Sequence, residues 1–153
     1  RGMMSTRSAR ALPLMAVAAL IGLATAPARA ADPSPQDRRA AQCVAALEAG
    51  TDDLVRQIKA GQAAARKPLL DRLTQGAAFV GDTYLHGNAD EAQARALVDQ
   101  AEAAQRSLSA AELAARQAAC AAEGNRLLAN ANALQRAVVK RLARKRMDKL
   151  LAA

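Results

Sequence analysis

The chain has 153 residues and a formal net charge of +8, and 52% of its residues are hydrophobic but only 1% are aromatic, a size that allows one domain at most. Alanine dominates the hydrophobic fraction and tryptophan is absent, so side chains that cover sheets or stack on bases are scarce, while good helix formers are plentiful. The composition therefore predicts an all-α protein and argues against a β-rich fold and against nucleic acid as a partner.

The first thirty residues have the pattern of a secretory signal peptide. Basic residues precede an apolar run over residues 11–24, which is followed by the A-x-A motif at residues 28–30. A run of about 14 apolar residues is too short for a membrane-spanning helix, which needs roughly 20. We therefore expect a leader over residues 1–30, with the two residues before Met3 as an upstream remainder, and a soluble periplasmic domain over residues 31–153.

The two cysteines, Cys43 and Cys120, both lie in the expected exported domain. A lone pair of cysteines in an oxidising compartment is typical of one structural disulfide. The sequence has no C-x-x-C motif, and its single histidine cannot complete a four-ligand metal site without several carboxylates. We predict a Cys43–Cys120 disulfide, no metal and no cofactor.

The first half of the domain carries signals for two helices. Ser34 is a suitable N-cap, followed by Pro35 at the first helical position. Gly50 could end this helix or lie within it, and the sequence leaves both alternatives open. A break before Pro68 then opens a second helix, which we expect to end at His86.

Two more helices are expected in the second half. Asn88 is the expected cap of the third. Ser109 and Glu112 have the spacing of a capping box that opens a fourth, which can extend as far as Leu151, although Gly124 could break it.

The positions of the cysteines predict how these helices pack. If the second helix sets a bundle height of about 28 Å, Cys43 and Cys120 both lie roughly 12 Å from the same end. This register predicts an antiparallel four-helix bundle with up-down-up-down order, in which the disulfide joins the first and fourth helices. The fourth helix would then overshoot the bundle as a basic C-terminal extension.

One polar cluster and one basic segment are the candidate functional features. Asp82 and His86, with Tyr84 between them, are spaced to share a helix face, where they could pair or supply two metal ligands. A third ligand cannot be identified, and a salt bridge at a helix end also explains the pair. No serine-hydrolase, phosphate-loop or haem motif is present in the sequence, so we do not expect an enzyme unless these residues line a cleft.

The basic segment is a predicted amphipathic helix over residues 134–151. Its apolar stripe consists of Val139, Leu142, Ala143, Met147 and Leu150, and its basic residues are Arg136, Lys140, Arg141, Arg144, Lys145, Arg146 and Lys149. Such a helix can lie on anionic lipid or lipopolysaccharide, or its stripe can pack on the body of the protein.

The sequence thus predicts an exported protein without catalytic activity. The expected function is protein–protein binding, of the kind performed by immunity or inhibitor proteins, with an unknown partner in the cell envelope. The alternative is an envelope-surface binder that places the basic helix on an anionic membrane surface.

Overall fold

A computed structural model describes residues 31–153, and every regular element in that range is helical. The α-helices are α1 (Pro35–Glu48), α2 (Thr51–Lys59), α3 (Arg66–His86), α4 (Glu91–Gln105), α5 (Ala110–Asn130) and α6 (Ala133–Ala152), and a turn of 3-10 helix over Ala63–Ala65 precedes α3. The predicted all-α class is confirmed. The predicted leader lies outside the described residues.

Helix α3 lies at the centre of the fold, because it packs against α1, α2, α5 and α6, while α4 packs on α1. One buried cluster joins α3 to α1 and α5: Ala40, Cys43, Ala46, Leu47, Phe79 and Cys120. A second buried cluster joins α3 to α2 and α6: Val55, Leu69, Leu73 and Ala143. The first cluster contains Phe79 of α3, and the second contains Leu69 and Leu73 nearer the start of the helix, so different parts of α3 are buried against different neighbours.

The predicted disulfide is confirmed. Cys43 on α1 and Cys120 on α5 are bonded, with their Cα atoms 5.1 Å apart and both side chains fully buried. Four residues after Cys120, Gly124 allows α5 to approach α3 closely, since a Cβ there would lie 3.0 Å from the Cβ of Gln75. Gly124 therefore does not break α5; it lies at a close contact between helices.

Helix boundaries follow the predicted caps in the first half of the domain, with one shift. Ser34 caps α1 as expected, and its hydroxyl accepts a hydrogen bond from the Asp37 amide. Gly50 separates α1 from α2 and has a left-handed backbone with φ of 82°, which explains why the chain uses glycine there. The helix that the sequence places after Lys67 is α3, and it begins at Arg66 instead of Pro68. Pro68 fits in its first turn because the first amides of a helix have no intrahelical acceptor, so the missing proline N–H costs no hydrogen bond.

The third predicted cap is wrong by two residues. Asp90 caps α4, since its side chain accepts from the Gln93 amide while the Gln93 side chain accepts from the Asp90 amide. Asn88 lies in the preceding loop, where its amide donates to Asp37. Ser109 is confirmed as the cap of α5.

The expected long fourth helix is two helices in the structure. Helix α5 ends at Asn130, and Asn132 opens α6 through a reciprocal capping box with Gln135. Helix α6 then runs back along α3, with Val139 beside Gly81 and Ala143 in the cluster with Leu73. The structure therefore does not confirm the four-helix up-down arrangement or the basic overshoot.

A buried carboxylate ties the start of α1 to the loop between α3 and α4. Asp37 is 3% exposed, and one of its oxygens accepts hydrogen bonds from the amides of Ser34, Asn88 and Ala89 and from the Ser34 hydroxyl. Burial alone would raise the pKa of Asp37, but these hydrogen bonds favour the charged form and hold its pKa below the usual value. Gly87 lies so close to this carboxylate that a side chain there would not fit.

We expect Asp37→Asn to lower the free energy of unfolding by about 1 to 2 kcal/mol at neutral pH, because the amide accepts these bonds less strongly than a carboxylate does. Since folding lowers the pKa of Asp37, its contribution is present above the pKa of the unfolded chain and is lost as the pH falls through the folded-state pKa. Urea unfolding at several pH values should show the two proteins converging in acid. An equal difference at all pH values would contradict this role, and Asp99→Asn, at an exposed position, is the matched control.

Candidate functional site

A group of exposed apolar side chains lies on the second half of α3 and the first half of α6. Among the described residues, the exposed large hydrophobic side chains all lie there: Val80, Tyr84 and Leu85 on α3, and Leu134, Val138 and Leu142 on α6. We call these six residues the α3–α6 face. Monomeric proteins rarely leave large contiguous apolar patches in water, and such patches commonly mark binding sites.

On α3, this face continues a stripe that begins in the core. Leu69, Leu73, Ala77, Val80 and Tyr84 follow one another at helical spacing, and the first two are buried. Helices α2 and α6 cover the stripe only at its start. Val80 is 58% exposed and Tyr84 is 88% exposed, so the stripe continues into solvent.

On α6, the apolar side chains divide between two faces. Ala143, Met147 and Leu150 pack against the second buried cluster, so the interpretation that the stripe packs on the body holds for them. Leu142 does not belong to that packed stripe, because it is 54% exposed and aligns at four-residue spacing with Val138 and Leu134. Sequence periodicity does not separate these two faces, since both carry aliphatic residues between the cations.

Two apolar grooves flank the contact between α3 and α6. The first, which we call the α1–α6 groove, has a volume of about 440 Å³ and lies over α3 between α1 and α6. The second, the α5–α6 groove, has a volume of about 410 Å³ and lies between the ends of α3 and α5 and the start of α6. Both grooves are lined by Gly81, Tyr84, Val138 and Val139, so they form one continuous surface.

Charged side chains line one end of the α1–α6 groove. Arg146 of α6 pairs with Glu48 of α1 at 3.2 Å, and Arg72 of α3 donates to the Ala49 carbonyl at 2.7 Å. Burial raises the pKa of the Glu48 carboxyl above its usual value, although the Arg146 guanidinium opposes the shift. Two cations and one half-buried acid leave this end of the groove positive.

The predicted basic residues all lie on α6. Arg136 donates to the Ala131 carbonyl at the start of the helix, and Arg146 pairs with Glu48. The others are exposed: Lys140, Arg141, Arg144, Lys145 and Lys149. Of these, Arg141, Lys145 and Lys149 follow Val138 and Leu142 at three- and four-residue spacing and therefore lie on the same side of α6 as the apolar face.

The predicted polar cluster is only partly assembled. Asp82 accepts a hydrogen bond of 2.6 Å from Gln36, and within residues 31–153 no ion pair joins it to His86. Asp82 and His86 do line the α5–α6 groove, where the other polar side chains are Tyr84, Asn130 and Gln135. The described part of the chain holds no group of three or more metal-binding side chains. The remaining side chains that line the α5–α6 groove are aliphatic.

Because the α3–α6 face is exposed, its side chains should contribute little to folding. We expect Leu134→Ser and Leu142→Ser each to change the free energy of unfolding by less than about 0.5 kcal/mol. Leu69→Ser, at a fully buried position of the same α3 stripe, should lower it by about 3 kcal/mol or more. Urea unfolding of the three variants makes the comparison, and a large loss in either exposed variant would show that the face is core.

Among residues 31–153, no helix combines the length and the apolar character that crossing a bilayer requires. Comparison of the chain with protein-family models, with curated proteins and with solved structures finds no match.

Proposed function

We propose that the protein is exported to the periplasm and acts there, without catalysis, by binding another protein through the α3–α6 face. The observation that carries the proposal is the α3 stripe, which has the spacing of a core-facing surface but is left uncovered at Val80 and Tyr84. An apolar centre that includes an aromatic residue, with charged residues around it, is the usual composition of a protein interface.

The disulfide and the leader pattern support the location. A buried disulfide persists in the oxidising periplasm, and residues 1–30 have the composition of a cleaved leader. A small, disulfide-linked helical domain suits an immunity or inhibitor protein, which occupies a partner enzyme with a preformed surface.

In-cell photo-cross-linking tests this proposal. A benzophenone amino acid replaces Tyr84 of the α3–α6 face in one variant, and it replaces Arg95, an exposed residue of α4, in a second variant. We expect one defined envelope protein to be captured at position 84 and not at position 95, and capture to be lost when Leu142→Asp is added. Equal capture at both positions, or none at position 84, would contradict a specific protein-binding face.

A second candidate function is binding to an anionic membrane surface, with the basic residues of α6 as the contacts. The observation in its favour is that Lys145 and Lys149 share an exposed helix face with Leu142, an arrangement typical of interfacial helices. Because α6 also packs in the core, removing it would disturb the fold, so charge reversal on the exposed side of α6 is the better test. Binding to phosphatidylglycerol vesicles should be salt-sensitive and should be lost in Lys145→Glu/Lys149→Glu; binding that survives this change would exclude these contacts.

A further inference from the structure

We infer that the α1–α6 groove receives an acidic amphipathic helix of the partner protein. This inference rests on the proposed function and specifies the shape and charge of the partner segment. It follows from the form of the groove, from the side chains on its floor and from the charges at its end and along its rim.

The groove has the form of a missing helix position. Helices α1 and α6 both pack on α3, and between them the α3 surface lies open over Gly76, Ala77 and Val80. The α3 residues that line the groove run from Arg72 to Tyr84, a length of about 18 Å, which matches roughly three turns of a helix. A helix that lies along this surface would cover the uncovered part of the α3 stripe, as α2 and α6 cover its start.

The floor is shaped for close approach. Gly76 and Ala77 carry no bulky side chain, and a Cβ placed on Gly76 would meet no atom within 4 Å. Aliphatic side chains form the walls: Val44 and Leu47 on α1, and Val138 and Leu142 on α6. Large side chains of an incoming helix can therefore enter the space above Gly76, which is the usual way in which an amphipathic helix binds a groove.

The charges select an acidic helix. Arg72 and Arg146 line one end of the groove with Glu48 as the one acid, and Lys145 and Lys149 lie on the α6 face that carries Leu142. A partner helix with carboxylates beside its apolar stripe would pair with these cations, whereas a basic helix would be repelled.

A second copy of this chain fits the groove poorly. The exposed large apolar side chains of the described residues all lie on the α3–α6 face, so a symmetric pair would place this face against itself. The cations of the two α6 helices would then be brought together and would repel each other. A flat bilayer also fits poorly, because the floor at Gly76 is recessed between α1 and α6.

Fluorescence anisotropy with a stapled, fluorescein-labelled peptide of about 14 residues tests the inference. The peptide carries leucines at helical spacing and glutamates elsewhere, and the control peptide carries lysines in place of the glutamates. The purified oxidised protein should bind the acidic peptide at least tenfold more tightly, a difference of about 1.4 kcal/mol. Gly76→Leu should weaken binding at least tenfold because it fills the groove, while Ala118→Leu, at an exposed position of α5, should leave it unchanged.

Gly76→Leu is expected to fold, since the added side chain enters open space and leucine favours a helix. Equal binding by both variants, equal affinity for both peptides, or binding of phosphatidylglycerol vesicles without binding of the acidic peptide would overturn the inference. If a protein is captured at position 84 but the acidic peptide does not bind, the inference of a helical partner segment is overturned and the proposed protein-binding function is not. The absence of capture at position 84 would overturn the protein-binding function itself, whatever the peptide result.

Discussion

Replacement of Cys43 and Cys120 by alanine should lower the free energy of unfolding by about 4 kcal/mol. The bond closes a long loop, with a sequence separation of 77 residues, and so restricts the unfolded chain strongly. It also joins α1 to α5 inside the cluster that contains Phe79. Urea unfolding of the oxidised protein and of the double variant measures the difference.

Reduction of the unaltered protein with dithiothreitol is the control, because it removes the same cross-link without changing the side-chain volumes. It should lower the stability by a similar amount. A loss below about 1 kcal/mol in both experiments would show that the unfolded chain is already restricted in other ways.

Ala143→Asp should lower the free energy of unfolding by roughly 3 kcal/mol, because it places an unpaired charge at a buried position. Ala143 is 1% exposed and contacts the cluster of Leu69 and Leu73, so the carboxylate would separate α6 from α3. Ala137→Asp adds the same charge to the exposed side of α6 and should be nearly neutral.

Trypsin provides an independent measurement of the same effect, since α6 is rich in cleavage sites such as Arg141 and Lys145. Cleavage within α6 should be faster in Ala143→Asp than in Ala137→Asp. If α6 projected from the body, the two variants would be cleaved at the same rate and unfold at the same urea concentration.

Local signals made much of the fold predictable. Ser34 precedes proline and has an acid three residues later, so its capping box forms among neighbouring residues. The two cysteines in one expected exported domain leave a single pairing, and the structure has that disulfide. These features depend on chain neighbours or on spacing alone.

Sequence periodicity does not predict the turn before α6, because the spacing of apolar residues continues across it. Leu127, Ala131, Leu134 and Val138 keep helical spacing across Asn132, so periodicity predicts one continuous helix. The polar pair Asn132 and Gln135 was the available signal, and it has the spacing of a capping box.

The candidate site depends on long-range packing, which periodicity does not report. Helical spacing places the residues of the α3 stripe on one face of the helix, but this pattern does not say which helices cover that face. Only the return of α6 along α3 shows that Leu73 is buried while Val80 and Tyr84 remain in solvent. Asp37 is a similar case, because its partners Asn88 and Ala89 are more than 50 residues away.

The central claim is that the α3–α6 face is exposed in the isolated protein and covered by a partner in the cell. Tyr84 is the only tyrosine of the chain and is 88% exposed, so its labelling by a carbene footprinting reagent reports on this face. Mass spectrometry should find Tyr84 labelled several-fold less in intact cells than in the purified protein, with labelling of Arg95 unchanged. Equal labelling of Tyr84 in both settings would contradict the claim.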